Sequence, residues 1–343
     1  PLCIPCPLWS NPGFFLPTES TESHGAGWVA PACLPLPRME TRAVVYSIPL
    51  LPVSPRFLLL FLALFSTTLP ASAAEAWRPL FNGKDLTGWT TWLQKPHASS
   101  VVAGLPRNPD GTYREAIGVN KDPLQVFTVV NVDGRPALRV SGETFGEIRT
   151  LESFRNYHLK LQFKWGVKKW PPRDGSAVPR DSGLLYHVHA PPGDGGRTWP
   201  RSIELQIQEH DVGDLFAVAS LISVRSRKSD AEKPVFTYDP AGEWADFSQV
   251  KGSVGRCVKY PDAEKPHGEW NTVELICLGE ESLHIVNGTV VMRLHNPRRI
   301  DRAPPESVIA GPLALQSEGA ELFYRDIVIR PITEIPTAYA AKP

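Results

Sequence analysis

The sequence predicts an all-β fold, a β-sandwich or jelly roll, and three observations carry that expectation. Short segments that alternate apolar and polar residues recur between residues 137 and 330, with turn residues between them. The pair Asn287-Gly288 stands between two apolar runs, a strong short-range signal for a two-residue hairpin of type I′. No long amphipathic helical period appears after residue 73.

The candidate strands, in order, are 137–141, 146–150, 157–165, 183–189, 203–209, 272–278, 283–286, 289–294, 312–316 and 321–330. In 157–165 (YHLKLQFKW), Leu159, Leu161, Phe163 and Trp165 share one face, as a half-buried strand requires. In 202–214 (SIELQIQEHDVGD), Ile203, Leu205 and Ile207 alternate with Glu204, Gln206 and Gln208, and Glu209, His210, Asp211 and Asp214 follow. Surface strands usually turn Thr, Lys or Ser outward. Here a carboxylate and two amides stand in line, groups that donate and accept as sugar hydroxyls demand. A solvated outer face would have the same pattern.

The same period applied to 183–189 sets Leu184, Tyr186 and Val188 on one face and His187 and His189 on the other. In 312–316, Leu313 and Leu315 share a face opposite Ala314 and Gln316. If these strands adjoin 203–209, one face presents His187, His189, Glu204, Gln206, Gln208 and Gln316. That set would hold a general base, a carboxylate and hydrogen-bonding amides. A lone histidine is more often structural than catalytic. His187 and His189 with Glu204 or Asp214 would also suit a divalent ion, although their spacing lacks the specificity of a zinc motif.

Two Pro/Gly-rich loops, 170–179 and 191–200, and an irregular region, 225–266, interrupt the strands and are candidates to wall a cleft. Trp89, Trp92, Trp170, Trp199 and Trp244 would stack on sugar rings or serve as packing residues. There are no internal repeats, and residues 74–343 are expected to form one domain.

Lys plus Arg and Asp plus Glu balance at 36 each, and no segment carries a basic stripe, which argues against a nucleic-acid partner. Residues 1–38 have no helical or strand period and are read as an upstream translation artefact or a disordered extension. Residues 39–73 have the layout of a secretory signal: Arg42 and Arg56, the apolar run FLLLFLALF at 57–65, and Ala71-Ser72-Ala73 as a cleavage site. The run is shorter than the roughly 20 residues that span a bilayer. An exported protein, periplasmic or extracellular, is therefore expected. Cys3, Cys6 and Cys33 precede the domain; Cys257 and Cys277 remain, compatible with one disulfide or with two buried thiols.

Several motifs together resemble one known family. They are WRPLFNGKDLTGW (77–89), FGEIRT (145–150), FRNYHLKLQFKW (154–165), DSGLLYHV (181–188), IELQIQE (203–209), GEWNTVE (268–274), HIVNG (284–288) and GPLALQSEGAELFYRDI (311–327). They cover the domain in order and resemble the 3-keto-disaccharide hydrolase family (3-keto-glucoside 1,2-lyase / 3-keto-2-hydroxyglucal hydratase). The resemblance implies a concanavalin A-like jelly-roll β-sandwich of two antiparallel sheets. It also implies cleavage of 3-keto-glucosides by C1–C2 elimination followed by hydration. On that reading Glu204 or His187 is the base, and Gln206, Gln208, His189, Gln316, Glu209 and Asp214 are substrate-binding candidates, with or without a metal. The segments 170–179 and 225–266 lengthen the pattern and leave substrate size open.

Two other readings compete. ELQIQE is similar to the E-x-D-x-x-E pattern of laminarinase-type glucanases, in which a bulge turns the last glutamate inward. Here Gln206 stands where that pattern has aspartate, and without a bulge Glu209 would point away from Glu204. A non-catalytic, lectin-like module is the third reading, since jelly rolls host both lectins and enzymes.

Overall fold

The computed structural model describes residues 76–250 and 252–340. The proposed extension 1–38 and signal 39–73 lie outside the described residues. The described chain is two antiparallel sheets packed face to face, with two 3-10 turns, Asp194–Gly196 and Thr337–Tyr339, and no α-helix. None of its helices is long and apolar enough to cross a membrane.

The larger sheet runs in the order Phe236–Tyr238, Ser220–Lys228, Thr289–Arg299, Glu281–Val286, Asn271–Leu278, Tyr157–Lys169, Ala320–Pro331, Arg135–Val140 and Phe127–Val132. Arg78–Pro79, Glu243–Phe247 and Glu306–Ser307 pair along its flanks. The smaller sheet runs Arg256–Cys257, Leu215–Val218, Ser202–Gln208, Asp181–Tyr186, Ala314–Ser317, Gly146–Thr150, Trp89–Leu93 and Gly118–Val119. This is a concanavalin A-like jelly-roll sandwich. Some neighbours follow one another in the chain, whereas others, such as Tyr157–Lys169 beside Asn271–Leu278 and Asp181–Tyr186 beside Ala314–Ser317, lie far apart in sequence and are brought together only by the tertiary fold.

Alternation decides which residues line the interior. Ile203, Leu205, Ile207, Leu184, Tyr186, Ile148 and Leu315 of the smaller sheet meet Leu159, Leu161, Phe163, Leu275, Leu322 and Tyr324 of the larger in one buried cluster. Each fully buried large apolar side chain contributes about 1.5–3 kcal/mol. Two sets of polar groups between the sheets are paired. Ser182 Oγ lies 2.8 Å from both the Gln316 carbonyl and the Tyr324 hydroxyl. His284 Nδ1 donates to the Gly213 carbonyl at 3.0 Å, which leaves Nε2 to accept from the Tyr186 hydroxyl at 3.1 Å. Burial lowers the His284 pKa to about 4, so the ring stays neutral in that role.

The hairpin expected at Asn287-Gly288 forms, with φ of 48° and 81° and Val286 paired to Thr289. The region 225–266, read as irregular, instead contains Phe236–Tyr238, Glu243–Phe247 and Arg256–Cys257, which extend both sheets at their edges. Strands this short carry too few alternating positions to show a period. Cys257 and Cys277 are free and buried, on strands of different sheets, so the two-thiol alternative is the one realised.

Candidate functional site

The outward face of the smaller sheet carries an unusual set of polar groups, and strand register fixes how they stand. Glu204 lies across from Leu185, which lies across from Ala314, then Arg149. In the next row Gln206 faces Gly183, and Gln316 faces Glu147, which faces Trp92. With strands about 4.8 Å apart, the row from Gln206 to Trp92 crosses five strands and spans about 19 Å.

Gly183 is the keystone of the second row. A Cβ there would collide with Glu204 Oε1 and sit 2.5 Å from Gln316 Oε1. Only a hydrogen on that Cα lets the carboxyl and the amide close over the same backbone position. Asp181 and Glu318 complete the group, joined by Arg173, whose Nη2 lies 2.6 Å from both Asp181 Oδ2 and Glu318 Oε1. Arg173 comes from the loop that follows Lys169, which docks through Trp170 N to the Gly319 carbonyl at 2.8 Å and lays the Arg173 side chain over Gly319.

Three carboxyls near one guanidinium cannot all ionise freely. Burial raises the Glu204 pKa well above the carboxylate range, and the Glu318 charge adds to it, while Gln316 and Arg173 work in the opposite direction. Burial likewise raises Asp181, with Glu318 reinforcing and Arg173 opposing. Glu147 is raised by burial against the pull of Arg149, to which it is bound at 2.6 Å. A carboxyl held up in this way keeps its proton more firmly than an exposed one and is a stronger base once ionised.

Glu147 Oε2 and Arg149 Nε on this face are buried and lack a hydrogen-bond partner. Buried polar groups are nearly always paired, and leaving one unmade costs about 1–3 kcal/mol.

Two loops close in on the row. On one side stands the 170–180 loop with Arg173. On the other, Trp199 packs on Leu185, Val188 and Ala314 and stacks on Phe145 at 6.1 Å, while the Ala190 carbonyl accepts from Arg149 Nη1 at 2.8 Å. Both loops expected as walls therefore stand beside the site.

The other expected site residues are distributed as follows. Glu204, Gln206, Gln208 and Gln316 do share one face. Gln208 Nε2 donates to Asp211 Oδ2 at 2.8 Å, and Gln206 Oε1 accepts from the Ile207 amide at 3.1 Å. Glu209 lies beyond the strand end, held 3.0 Å from Arg180 Nη1 and 3.0 Å from His267 Nδ1. The strand pairs on both sides without a register shift, so nothing turns Glu209 toward Glu204. Asp214 is bound to Arg256 Nη2 at 2.6 Å and to the Lys259 amide at 2.9 Å.

The expectation that His187 and His189 share Glu204's face, with Val188 opposite, is corrected. The strand ends at Tyr186, and His187 adopts a left-handed φ of 50° that breaks the alternation. Val188 therefore packs outward with Leu185 and Ala314, and the His187 ring lies 5.0 Å from the Tyr186 ring. Burial, with His189 adding to it, lowers the His187 pKa to about 3, which makes it a weak base. His189 Nδ1 donates to the His187 carbonyl at 2.9 Å. No three His, Cys, Asp or Glu side chains among the described residues converge to hold a metal ion, so the His187, His189, Glu204 and Asp214 shell does not assemble.

Asp181, Glu318, Arg173, Glu147 and Arg149 were not singled out from sequence. Glu147 and Arg149 were within reach, because the period of strand 146–150 sets them opposite Ile148. Arg173 sits in a loop, where no period exists to place it.

A sandwich of two antiparallel sheets, here with a row of carboxyls and amides across one of them, is a concanavalin A-like fold. The chain belongs to the 3-keto-alpha-glucoside-1,2-lyase-like domain family, whose sequence model matches residues 76–330, and it is thereby a carbohydrate-acting protein. Its strands are similar to those of two provisionally named glycosyl hydrolases from Parabacteroides distasonis ATCC 8503. The first is 17% identical with a TM-score of 0.42, covering 75% of this chain and 94% of that one. The second is 19% identical with a TM-score of 0.38, covering 75% and 100%. A galectin-like protein of unknown function from Bacillus subtilis is 11% identical with a TM-score of 0.30, covering 59% and 85%. No curated protein sequence matches the chain.

Proposed function

We propose that the protein cleaves the glycosidic bond of 3-keto-glucosides by elimination and rehydration, with Glu204 as the proton carrier. The observation that carries this reading is the Glu204–Gln316 pair over Gly183, a buried carboxyl side by side with a buried amide. The ketone at C3 acidifies the hydrogen on C2. Glu204 takes that proton in its ionised form, which burial makes a stronger base than an exposed carboxylate; the electron pair forms the enolate, and Gln316 donates to the enolate oxygen. Collapse of the enolate expels the oxygen on C1 and leaves a 3-keto-2-hydroxyglucal. Return of the proton from Glu204 to the leaving oxygen balances the step, and water then adds at C1 while C2 regains a proton. A general acid–base group of this kind is worth about 10²–10⁴ in rate.

The glucanase reading requires a second glutamate turned inward, and Glu209 is instead engaged by Arg180 and His267. The reading includes export to the periplasm or beyond, because residues 39–73 carry the layout of a secretory signal.

The test is incubation of the protein with 3-keto-glucosides and their unoxidised parents, following exchange of the C2 hydrogen with solvent deuterium. Turnover of the keto forms alone, with exchange, is expected. Cleavage of the parents, or saturable binding of the keto forms without turnover, would overturn the proposal.

A further inference from the structure

The outward face of an antiparallel sheet is commonly wet, yet this one is shut off from solvent. Glu204 is 5% exposed, Glu147 1% and Gln316 0%. A ligand reaches these groups only if whatever covers them moves. Two segments flank and cover the face, the 170–180 loop and the 189–201 loop, and they are attached in different ways.

The 170–180 loop is bonded to the body of the domain. Trp170 donates from its backbone amide to the Gly319 carbonyl and from Nε1 to the Ser141 carbonyl, and Arg173 holds Asp181 and Glu318. The 189–201 loop is bonded only at its base, where the Ala190 carbonyl accepts from Arg149 and the His189 amide donates to the Arg201 carbonyl at 3.0 Å. Among the described residues, no hydrogen bond joins 191–199 to anything outside the loop. This tip folds on itself, with Gly193, Gly195 and Gly196 at left-handed φ of 67°, 57° and 80°, a conformation glycine takes at no steric cost.

Contact alone holds the tip down. Gly193 lies against the Trp92 indole, and Trp199 packs on Leu185, Val188 and Ala314 and stacks on Phe145. Leu185 and Ala314 are the two residues between Glu204 and Arg149 in the first row, so Trp199 lies in the middle of the candidate site. One ion chain ties the tip to the body: Arg201 holds Asp194 at 2.9 Å and Asp301 at 3.0 Å, and Arg299 holds Asp301 at 2.7 Å. Segments with few bonds to the body open at low free energy.

We propose that the 189–201 loop is a lid shut over the site, with Trp199 as its plug and the Asp194–Arg201–Asp301 chain as its latch, and that a ligand enters only when the lid swings off. The lid rests on the polar row being the ligand site, as the elimination reading does, and would serve any reaction there.

Carboxyl labelling with a carbodiimide and an amine, read residue by residue by mass spectrometry, tests it. Glu147 lies under the lid, Asp181 lies beside Arg173 of the bonded loop, and exposed Glu152 is the reference. In wild type, Glu147 and Asp181 should both label more slowly than Glu152. Asp194→Ala removes a side chain bound only to Arg201, and should speed Glu147 labelling at least about threefold, the size of a partly exposed ion pair, with Asp181 as in wild type. Three results would overturn the lid: Glu147 labelled as fast as Glu152 in wild type, an unchanged Glu147 rate in Asp194→Ala, or equal acceleration of Glu147 and Asp181. Should Asp194→Ala not fold, Asp301→Ala cuts the latch from the body side and decides by the same criteria. Labelling needs no turnover. Inert keto-glucosides would end the elimination reading and leave the lid, whereas an unchanged Glu147 rate would end the lid and leave the elimination reading.

Discussion

Glu204 carries opposing demands at the residue scale. Burial and the Glu318 charge favour its protonated form in the folded protein, whereas the unfolded chain titrates near the ordinary value of about 4.3. A folded pKa above the unfolded one means that Glu204 is best tolerated at low pH. As pH rises through the unfolded value the folded state binds more protons than the unfolded one, and stability declines. Glu204→Gln cannot ionise. It should therefore melt at a higher temperature than wild type at pH 7, with the gap closing toward pH 4, while activity on a 3-keto-glucoside falls by about 10²–10⁴. Thermal melts at the two pH values and a rate assay check both halves. A gap of equal size at pH 4 and pH 7 would remove the buried charge as its cause. His187 shows how a single residue departs from its sequence pattern: one left-handed φ moves Val188 to the opposite face and takes the histidine out of the carboxyl row.

The strand Asp181–Tyr186 illustrates the argument at the element scale. Its alternation gives Ser182, Leu184 and Tyr186 to the core, and Gly183 leaves room above it for two side chains from neighbouring strands. Gly183 has no left-handed φ to protect, so the strand backbone accepts alanine. The colliding atoms are ends of flexible side chains. Gly183→Ala should accordingly fold with a modest loss of stability, yet displace Glu204 and Gln316 and lower kcat by more than tenfold; a displacement near 1 Å suffices for a large loss. Circular dichroism and kinetics on the same sample decide it, and an active Gly183→Ala would show that the two side chains need not meet there. Gly142 makes the contrast. It has φ of +80° and its absent Cβ would strike the Ala320 backbone, so its role belongs to the fold.

At the scale of the whole molecule, one large core holds the two sheets together without a covalent tie. Burial pushes the Cys257 and Cys277 thiols up to about 12, so neither is a thiolate at neutral pH. Both should resist labelling by a disulfide reagent in the native protein and react in denaturant, as peptide mapping would show. A reductant should leave the Tm unchanged, and a drop in Tm would mean that a disulfide forms. The Thr337–Tyr339 turn adds a smaller closure. Tyr339 donates to Glu274 Oε1 at 3.0 Å, and Ile332, Ile335 and Tyr339 cover the outward cluster of Ile276, Leu283 and Ile285.

Much of this was legible in the residues themselves. Alternation located the strands that line the core, Asn287-Gly288 fixed a hairpin, and the polar face of 203–208 marked the sheet that carries the candidate site. These features depend on neighbours one or two positions apart, so the sequence by itself determined them. The edge strands in 225–266 were too short to display a period. The surroundings of Glu204 depend on longer distances: Arg173 reaches Glu318 across 145 positions, from a loop with no periodicity to read. Whether Glu204 stands beside a histidine, a second glutamate or an amide was decided by strand order, register and one left-handed residue. Those are set by packing two sheets against each other, and only the tertiary structure contains that information.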